Sequence, residues 1–357
     1  MEIITYIFLF FGVVAAIDRI VGNKLGLGSE FEKGLMMLGP LTLSMAGMII
    51  LVPFISEALS GIAAIFPALL DFSIVPASFI ANDMGGAHLA VALSENTEIG
   101  LFNGLIVSSM MGCTVSFIIP FALQATEKRL HNDILFGILF GIITIPVGLI
   151  ASGVMLSVPV FSLLINLVPL ILFSALIAFG LLKFPRATVK IFSVFAFIIK
   201  LLITLGLVLG IADFLLGERL LASDNNLISA AKIIINIAAI MTGAFPLLSI
   251  LKRFLKKPIE RLGGKLSVNE SSAFGFIATL GNSITTFEMA DKMDKKGLIL
   301  NSAFAVSASF LFVDHLAFTI SFNSAYLPAL ICGKFISGLS AVLLALLYNK
   351  KKNGGLI

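Results

Sequence analysis

The sequence is poor in the residues on which soluble enzymes and disulfide-bonded proteins depend. It has no Trp, three Tyr, three His and two Cys in 357 residues, and only 12% of its residues are charged. Soluble domains carry about a quarter charged residues. Cys113 and Cys332 both lie within apolar runs, so we expect packing residues there and not a disulfide. With so few histidines we expect no metal site and no cofactor.

Sequence motifs of the common catalytic classes are also absent. No Gly-x-x-x-x-Gly-Lys-Ser/Thr loop occurs, which excludes a nucleotide-driven motor of that type within this chain. No Gly-x-Ser-x-Gly, His-Glu-x-x-His or Cys-x-x-Cys motif occurs either. The polar loops are too short to hold a soluble catalytic domain, so we do not expect an enzyme.

The chain is instead dominated by apolar residues, at 59% of the sequence, with a mean hydropathy of +1.09. The apolar runs continue over about twenty residues, which predicts membrane-spanning helices and not barrel strands. We therefore expect an all-α polytopic integral membrane protein. Nine spanning helices are predicted at 3–20, 34–56, 100–123, 134–155, 158–182, 189–216, 227–251, 298–320 and 325–348.

Two further apolar stretches, 59–93 and 271–290, are interrupted by polar residues and glycine. The first contains Asn82 and Asp83, and the second contains Asn282. Such segments are tolerated at membrane depth only where they line a cavity or are buried in protein. We expect both to be broken or re-entrant helices.

Basic residues predict the orientation in the membrane. They cluster at 183–190, 252–265, 292–296 and 350–352, and all four clusters are expected on the cytoplasmic side, together with the C-terminus. The second and third clusters share one side only if 271–290 enters the membrane and returns. The acidic loop at 94–98 is then outside, as is the N-terminus.

The two halves of the chain contain a weak internal repeat. Similar features recur about two hundred residues apart, in the same order and in segments of opposite predicted direction, as in inverted-topology repeats. They are Met45-Ala46-Gly47 with Met241-Thr242-Gly243, Asn82 with Asn282, and Asn103 with Asn301. We divide the single transport domain, 1–357, into a pseudo-repeat at 1–156, a linking helix at 158–182 and a second pseudo-repeat at 189–348.

Polar residues at membrane depth are the candidates for function. A charged residue at the bilayer centre costs about 2.5–3.5 kcal/mol on insertion scales, so the presence of Asp83 in an apolar stretch needs an explanation. It could bind a solute beside Asn82, or cap a half-helix, and the two roles are compatible. Asp314 and His315, expected deep in the span 298–320, suit cation binding or a proton relay, or form a structural pair between helices.

The remaining polar candidates are more ambiguous. Thr286 and Glu288 lie in the second interrupted stretch, and Glu288 could equally lie at the cytoplasmic surface. Asn103 and Asn301 each begin a helix with a stripe of small hydroxyl residues. Such stripes serve close helix packing or contact a ligand.

Several runs together resemble one known family. They are Asn82-Asp83-Met84-Gly85-Gly86, Ser109-Met110-Met111-Gly112, Thr144-Ile145-Pro146-Val147-Gly148, Met293-Asp294-Lys295-Lys296-Gly297, Asn301-Ser302-Ala303-Phe304-Ala305-Val306-Ser307-Ala308 and Asp314-His315-Leu316. Over nearly the whole chain the sequence resembles the ethanolamine-utilisation permeases, EutH. The resemblance implies a multi-pass protein of the bacterial cytoplasmic membrane whose transported solute is ethanolamine.

The residues and the resemblance together lead to one hypothesis. Asp83 pairs with the ammonium group, Asn82 and Asn282 orient the solute, and Asp314-His315 forms a second polar station or a pH-sensitive gate. Asn103, Asn301 and Thr286 complete the candidate set. Transport is expected by facilitated diffusion, with proton- or sodium-coupled symport as the alternative.

Two other classes of protein fit the sequence less well than a transporter. An intramembrane enzyme using Asp83 and Asp314 lacks a recognisable protease motif, and a structural anchor leaves the buried acids unexplained. The sequence leaves open whether the chain is a monomer or a homo-oligomer.

Overall fold

The computed structural model describes residues 2–67, 69–217, 221 and 224–353, and every regular element within them is helical. The predicted all-α architecture is therefore confirmed. Two basic clusters fall partly outside this description, because the side chains of Lys256 and of 350–352 are not among those described.

The first half of the chain begins with long helices and then becomes irregular. Its α-helices are α1 (Glu2–Ile20), α2 (Leu27–Met36), α3 (Leu38–Leu41), α4 (Gly47–Ala64), α5 (Ile74–Phe79), α6 (Gly86–Leu93), α7 (Thr97–Leu101), α8 (Ile119–Ala125) and α9 (His131–Met155). Helical turns with wider, π-type hydrogen bonding cover Thr42–Ala46, Phe102–Gly112 and Thr114–Ile118. Tighter 3₁₀ turns cover Asn82–Met84 and Lys128–Leu130.

The second half begins with three long helices and repeats the alternation of long and broken elements. Its α-helices are α10 (Val160–Lys183), α11 (Pro185–Leu216), α12 (Leu227–Leu266), α13 (Glu270–Gly281), α14 (Ser283–Glu288), α15 (Lys295–Ala308), α16 (Asp314–Asn323) and α17 (Leu327–Asn353). The 3₁₀ turns here are Ala290–Lys292 and Ser324–Tyr326.

Seven helical stretches of the described chain are long and apolar enough to cross a membrane. They are Leu27–Ala64, Thr97–Ala125, Lys128–Met155, Val160–Lys183, Pro185–Leu216, Leu227–Leu255 and Asp314–Tyr348. The predicted span 34–56 lies within a longer helical stretch that begins at Leu27. The basic cluster at 252–265 lies on the C-terminal end of α12, which continues to Leu266.

Burial identifies the central helix of the bundle. In the stretch Thr97–Ala125, 89% of the most apolar window is buried inside the protein, against 28% for Pro185–Leu216. Apolar residues exposed along α11 therefore face the surface that a bilayer would cover. The central stretch carries Asn103 and the serine stripe, so these polar side chains contact protein and not lipid.

Both interrupted stretches are broken helices, as predicted. In the first, α5 ends at Phe79, and the chain passes through an extended residue, Ile80, and one 3₁₀ turn before α6 begins. In the second, α13 ends at Gly281 and α14 restarts at once, with extended Asn282 between them.

A third break was not predicted, because 298–320 had been assigned as one continuous span. That prediction is wrong: α15 ends at Ala308 and α16 starts at Asp314. Phe310 has a φ of 60°, which an α-helix does not accommodate. The unwound backbone finds partners on α13, where Phe310 N–H donates to the Thr279 carbonyl at 3.1 Å and Phe312 N–H to the Leu280 carbonyl at 2.9 Å.

Glycine allows two helix crossings in which backbones touch. A methyl group added at Gly47, the first residue of α4, would collide with the Ile203 carbonyl of α11. A methyl group added at Gly243 of α12 would collide with the Phe8 carbonyl of α1. Helix interfaces in membranes use small residues in this way, because close backbone approach maximises packing.

The crossing at Gly47 gives a direct test of the fold. Gly47→Ala should destabilise the protein by about 1–3 kcal/mol, because the added methyl group overpacks the contact with Ile203. Gly61→Ala in the same helix is the matched control, since nothing lies within 4 Å of its added carbon. The unfolding temperature of detergent-purified protein should fall for the first variant only, and equal unfolding temperatures would contradict this packing.

Candidate solute-binding site

The first break is held open by serines of the central helix. Ser108 donates a short hydrogen bond to the Ile80 carbonyl, and the Ala81 N–H donates to the Ser116 hydroxyl at 3.2 Å. These bonds satisfy the backbone groups that α5 leaves unpaired where it ends. The serine stripe thus serves helix packing and break geometry, the first of the two roles that the sequence left open.

Glycine then turns the chain back into helix. Gly85 has a φ of 95°, which side chains rarely adopt, and an added methyl group would collide with the Met48 side chain. The turn places Asn82 and Asp83 on a single 3₁₀ turn. Asn82 is completely buried, whereas Asp83 keeps part of its surface accessible.

The third break brings Asp314 and His315 to this turn. They begin α16, and α16 contacts the 3₁₀ turn Asn82–Met84. The expected mid-helix position of Asp314 is therefore corrected to the first turn of a helix, where the helix dipole favours a negative charge. His315 is completely buried, and Asp314 is partly accessible.

A buried lysine that the sequence analysis overlooked completes the cluster. Lys334 of α17 has no exposed surface. Its ammonium nitrogen donates to the Ser109 carbonyl of the central stretch at 2.7 Å and contacts Nδ1 of His315 at 2.9 Å. Lys334 lies within an apolar span, far from the basic C-terminal cluster at 350–352. A single lysine inside an apolar run is the sequence signal that could have identified it.

The hydrogen bond from Lys334 determines the tautomer and charge of His315. A lysine ammonium has donors and no acceptor, so Nδ1 of His315 must accept the hydrogen bond. The imidazole is then neutral, with its proton on Nε2. His315 therefore presents an N–H donor on its other side.

The charged groups of the cluster interact electrostatically with one another. Asp83 lies within Coulombic range of both Lys334 and Asp314. The ion pairs found among the described side chains lie elsewhere, at more exposed positions: Arg19–Glu32, Lys33–Glu30, Arg129–Glu127 and Lys295–Asp133. Within that part of the chain, Lys334 makes no direct ion pair with either acid, so the carboxylates remain available to a cation.

Several buried polar atoms of this region have no hydrogen-bond partner in the described part of the protein. They are Nδ2 and Oδ1 of Asn82, Oδ1 of Asp314, Nε2 of His315, Oγ1 of Thr319 and Nδ1 of His88. Most buried polar groups in proteins are paired, so such a concentration indicates a site for a polar ligand or water. The His88 ring also packs edge-to-face on Phe322, with centroids 4.9 Å apart.

The predicted site residues Asn103 and Asn301 lie outside this cluster. Asn103 donates to the Ser73 hydroxyl at 2.8 Å and exchanges two hydrogen bonds with Asn166 of α10. Asn301 donates to the backbone carbonyls of Ser272 at 2.8 Å and Gly297 at 2.9 Å. Each asparagine connects a broken helix to the helix that follows it.

The predicted residues of the second break are likewise engaged elsewhere. Asn282 accepts from the Ile284 N–H at 2.8 Å and so caps α14, and Thr286 bonds to Thr279 at 2.9 Å. Asn282 also lines a separate cavity of about 610 Å³, next to Lys33 and Lys252. Glu288 is exposed, in agreement with the surface position that the sequence allowed.

The fold and the cluster together are typical of one class of protein. Two broken helices meet inside a helical membrane bundle, and each contributes a carboxylate at its break, Asp83 and Asp314, as in membrane carriers of small solutes. In the described residues no group of His, Cys, Asp and Glu side chains is arranged to hold a metal ion.

Comparison with known proteins identifies the family. Residues 1–348 match the family model described as ethanolamine utilisation protein, EutH, and the chain belongs to that family. It is 40% identical over 343 residues to the probable ethanolamine permease EutH of Listeria monocytogenes, covering 96% of this chain and 92% of the relative. The family resemblance seen in the sequence is thus confirmed.

Other relatives agree with this assignment. The probable ethanolamine permease EutH of Escherichia coli K12 is 35% identical over 394 residues, covering 99% of this chain and 96% of the relative. The uncharacterized protein YxeR of Bacillus subtilis is 31% identical over 344 residues, covering 95% and 92%. No solved structure matches the chain. The chain is therefore a multi-pass bacterial membrane protein of a permease family, and not an enzyme.

Two completely buried asparagines should respond differently to truncation. Asn103→Ala should lower the free energy of unfolding by about 1–3 kcal/mol, because it leaves Asn166 and Ser73 without partners. Asn82→Ala is the matched comparison and should not lower stability, because its amide has no partner to lose among the described residues. Chemical unfolding of the two purified variants measures this, and equal destabilisation would contradict the assignment of Asn82 to the site.

Proposed function

We propose that this protein is a permease that carries ethanolamine across the bacterial cytoplasmic membrane by facilitated diffusion. The observation that carries the proposal is the cluster of two partly accessible carboxylates, Asp83 and Asp314, with one buried lysine, Lys334. With all three groups charged, the empty site holds one net negative charge. A small ammonium ion restores neutrality, as a charge at membrane depth requires.

The neutral partners of the cluster suit the other end of the solute. Ethanolamine carries a hydroxyl one short arm from its ammonium group, and a hydroxyl both donates and accepts. Nε2–H of His315 can donate to the hydroxyl oxygen, and Oδ1 of Asn82 can accept its proton. Both atoms are buried and unpaired in the described structure. We therefore assign Asp83 and Asp314 to the ammonium, and Asn82 and His315 to the hydroxyl.

The membrane potential can drive such a carrier. A potential of 100 mV contributes about 2.3 kcal/mol per charge, which supports roughly fifty-fold accumulation of a cation. The alternative is proton- or sodium-coupled symport, which the broken helices favour because ion-coupled carriers build their sites from them. Flux that follows an imposed ion gradient at zero potential would select the alternative.

An inverted repeat is our proposal for the architecture of the carrier, with repeats at 1–156 and 189–348 about the linking helix at 158–182. Two observations support it. The close crossings pair α4 with α11 and α12 with α1, so each repeat contacts the first helix of the other. Asn103 reaches back to Ser73, and Asn301 reaches back to Ser272, at the starts of the two broken elements.

The orientation is a further part of the proposal. The exposed lysines of the third basic cluster and the end of α12 carry the positive charge that marks a cytoplasmic face. Asp294 stabilises this face by accepting from the Asn269 N–H at 2.8 Å and the Ser272 hydroxyl at 2.8 Å. Partial burial opposes the effect, yet these hydrogen bonds hold the pKa of Asp294 below its usual value. The C-terminus is then cytoplasmic.

Reconstitution tests the proposed function. Liposomes that contain only this protein should take up labelled ethanolamine without an ion gradient, and faster under an inside-negative potassium diffusion potential. Asp83→Asn should reduce the initial rate by about tenfold or more, because the ammonium loses a counter-charge. Glu288→Gln is the matched control, since Glu288 is an exposed acid of the second broken element.

Two outcomes would contradict the proposal. Absence of protein-dependent uptake would reject ethanolamine as the solute. Undiminished uptake by the Asp83→Asn variant would reject the counter-charge role of Asp83 while leaving transport itself intact.

A further inference from the structure

Lys334 is a cation that the protein carries inside its own solute site. Its side chain is completely buried, and its two hydrogen-bond partners, the Ser109 carbonyl and Nδ1 of His315, are both neutral. A lysine buried without a carboxylate in direct contact is costly, because the ammonium loses its hydration. The two hydrogen bonds to neutral partners offset part of that cost, and the field of Asp83 also favours the charged form.

Lys334 lies at the carboxylate cluster, because its partner His315 follows Asp314 at the start of α16, and α16 contacts the turn that carries Asp83. Lys334 interacts electrostatically with Asp83, and Asp83 with Asp314. A bound ammonium ion together with Asp83, Asp314 and Lys334 gives a neutral group of four charges.

A uniporter must also return with its site empty. An empty site with two ionised carboxylates and no cation would carry two negative charges through a low-dielectric bilayer. A carrier with that defect can still exchange one solute for another, because its site is loaded in both directions. It cannot complete a cycle of net transport at a useful rate.

We propose that Lys334 is a tethered counter-cation that permits the solute-free carrier to change its exposure from one side to the other. This inference rests on the proposed function as a uniporter of ammonium solutes. Held by Ser109 and His315, the buried ammonium supplies one positive charge to the site whether or not solute is bound. The lysine therefore replaces the coupling ion that a symporter would bind here.

The test compares net transport with exchange in one reconstituted preparation. The substitution Lys334→Gln should slow net ethanolamine uptake into empty liposomes by about fifty-fold or more, since the empty site gains an uncompensated charge. Exchange of labelled ethanolamine into liposomes preloaded with unlabelled ethanolamine should fall much less than net uptake does, because exchange needs no empty return. Lys200→Gln, at an exposed lysine of α11, is the matched control and should change neither flux.

A second variant protects the test against a folding defect. Lys334→Arg keeps the charge, so its ratio of net uptake to exchange should stay near that of the unsubstituted protein. Loss of net uptake alone in the arginine variant would overturn the proposal, even if the glutamine variant does not fold. Equal net uptake by the glutamine variant and the unsubstituted protein would also overturn it, as would equal loss of both fluxes in a folded glutamine variant. If the unsubstituted protein carries no ethanolamine, the proposed function fails first, and separately.

Discussion

The structure depends on one constraint: backbone and side-chain polar groups at membrane depth must find partners within the protein. Each break in a helix creates unpaired N–H and carbonyl groups, and each is answered by a specific neighbour. Ser108 and Ser116 serve the first break, and the backbone of α13 serves the third. The polar stripe of the central helix supplies hydrogen-bond partners to the first break, and the candidate site lies on the scaffold that results.

The atoms left unpaired are as informative as those that are paired. The scaffold asparagine Asn103 has its hydrogen bonds satisfied, whereas Asn82, Asp314 and His315 keep buried atoms without partners among the described residues. Six of the nine buried side-chain atoms that lack a partner among the described residues lie in this region, and such a concentration is typical of a site for a ligand or water. The contrast with Asn103 supports our proposal that Asn82, Asp314 and His315 bind the solute.

The structural features that depend on the local sequence were predictable. Apolar runs predicted the long helices, and Asn82 and Asn282 marked two breaks, because polar residues and glycine interrupt a helix visibly. The break before Asp314 was not predictable, because Ser309 to Val313 is an ordinary apolar run and unwinds only through tertiary hydrogen bonds to Thr279 and Leu280.

The site was predictable only in part, for a similar reason. Asp83 and Asp314 stood out by the cost of charge in a membrane, but their proximity arises from the contact between two broken elements distant in the chain. Asn282 and Thr286 have the same residue types as the proposed site residues, but in the structure their hydrogen bonds cap α14 and connect it to α13. Lys334 was not among the predicted site residues, which included acids but no lysine. The free-energy cost of placing a charge at membrane depth applies equally to a buried lysine.

The central claim is that the solute's ammonium group binds between Asp83 and Asp314. Electron cryomicroscopy of the protein in lipid nanodiscs, with and without saturating ethanolamine, tests this most directly. Our account predicts ethanolamine-dependent density in contact with both carboxylates, with its hydroxyl end toward Asn82 and His315. Density confined to the cavity beside Asn282, with the Asp83–Asp314 cluster unchanged, would contradict it.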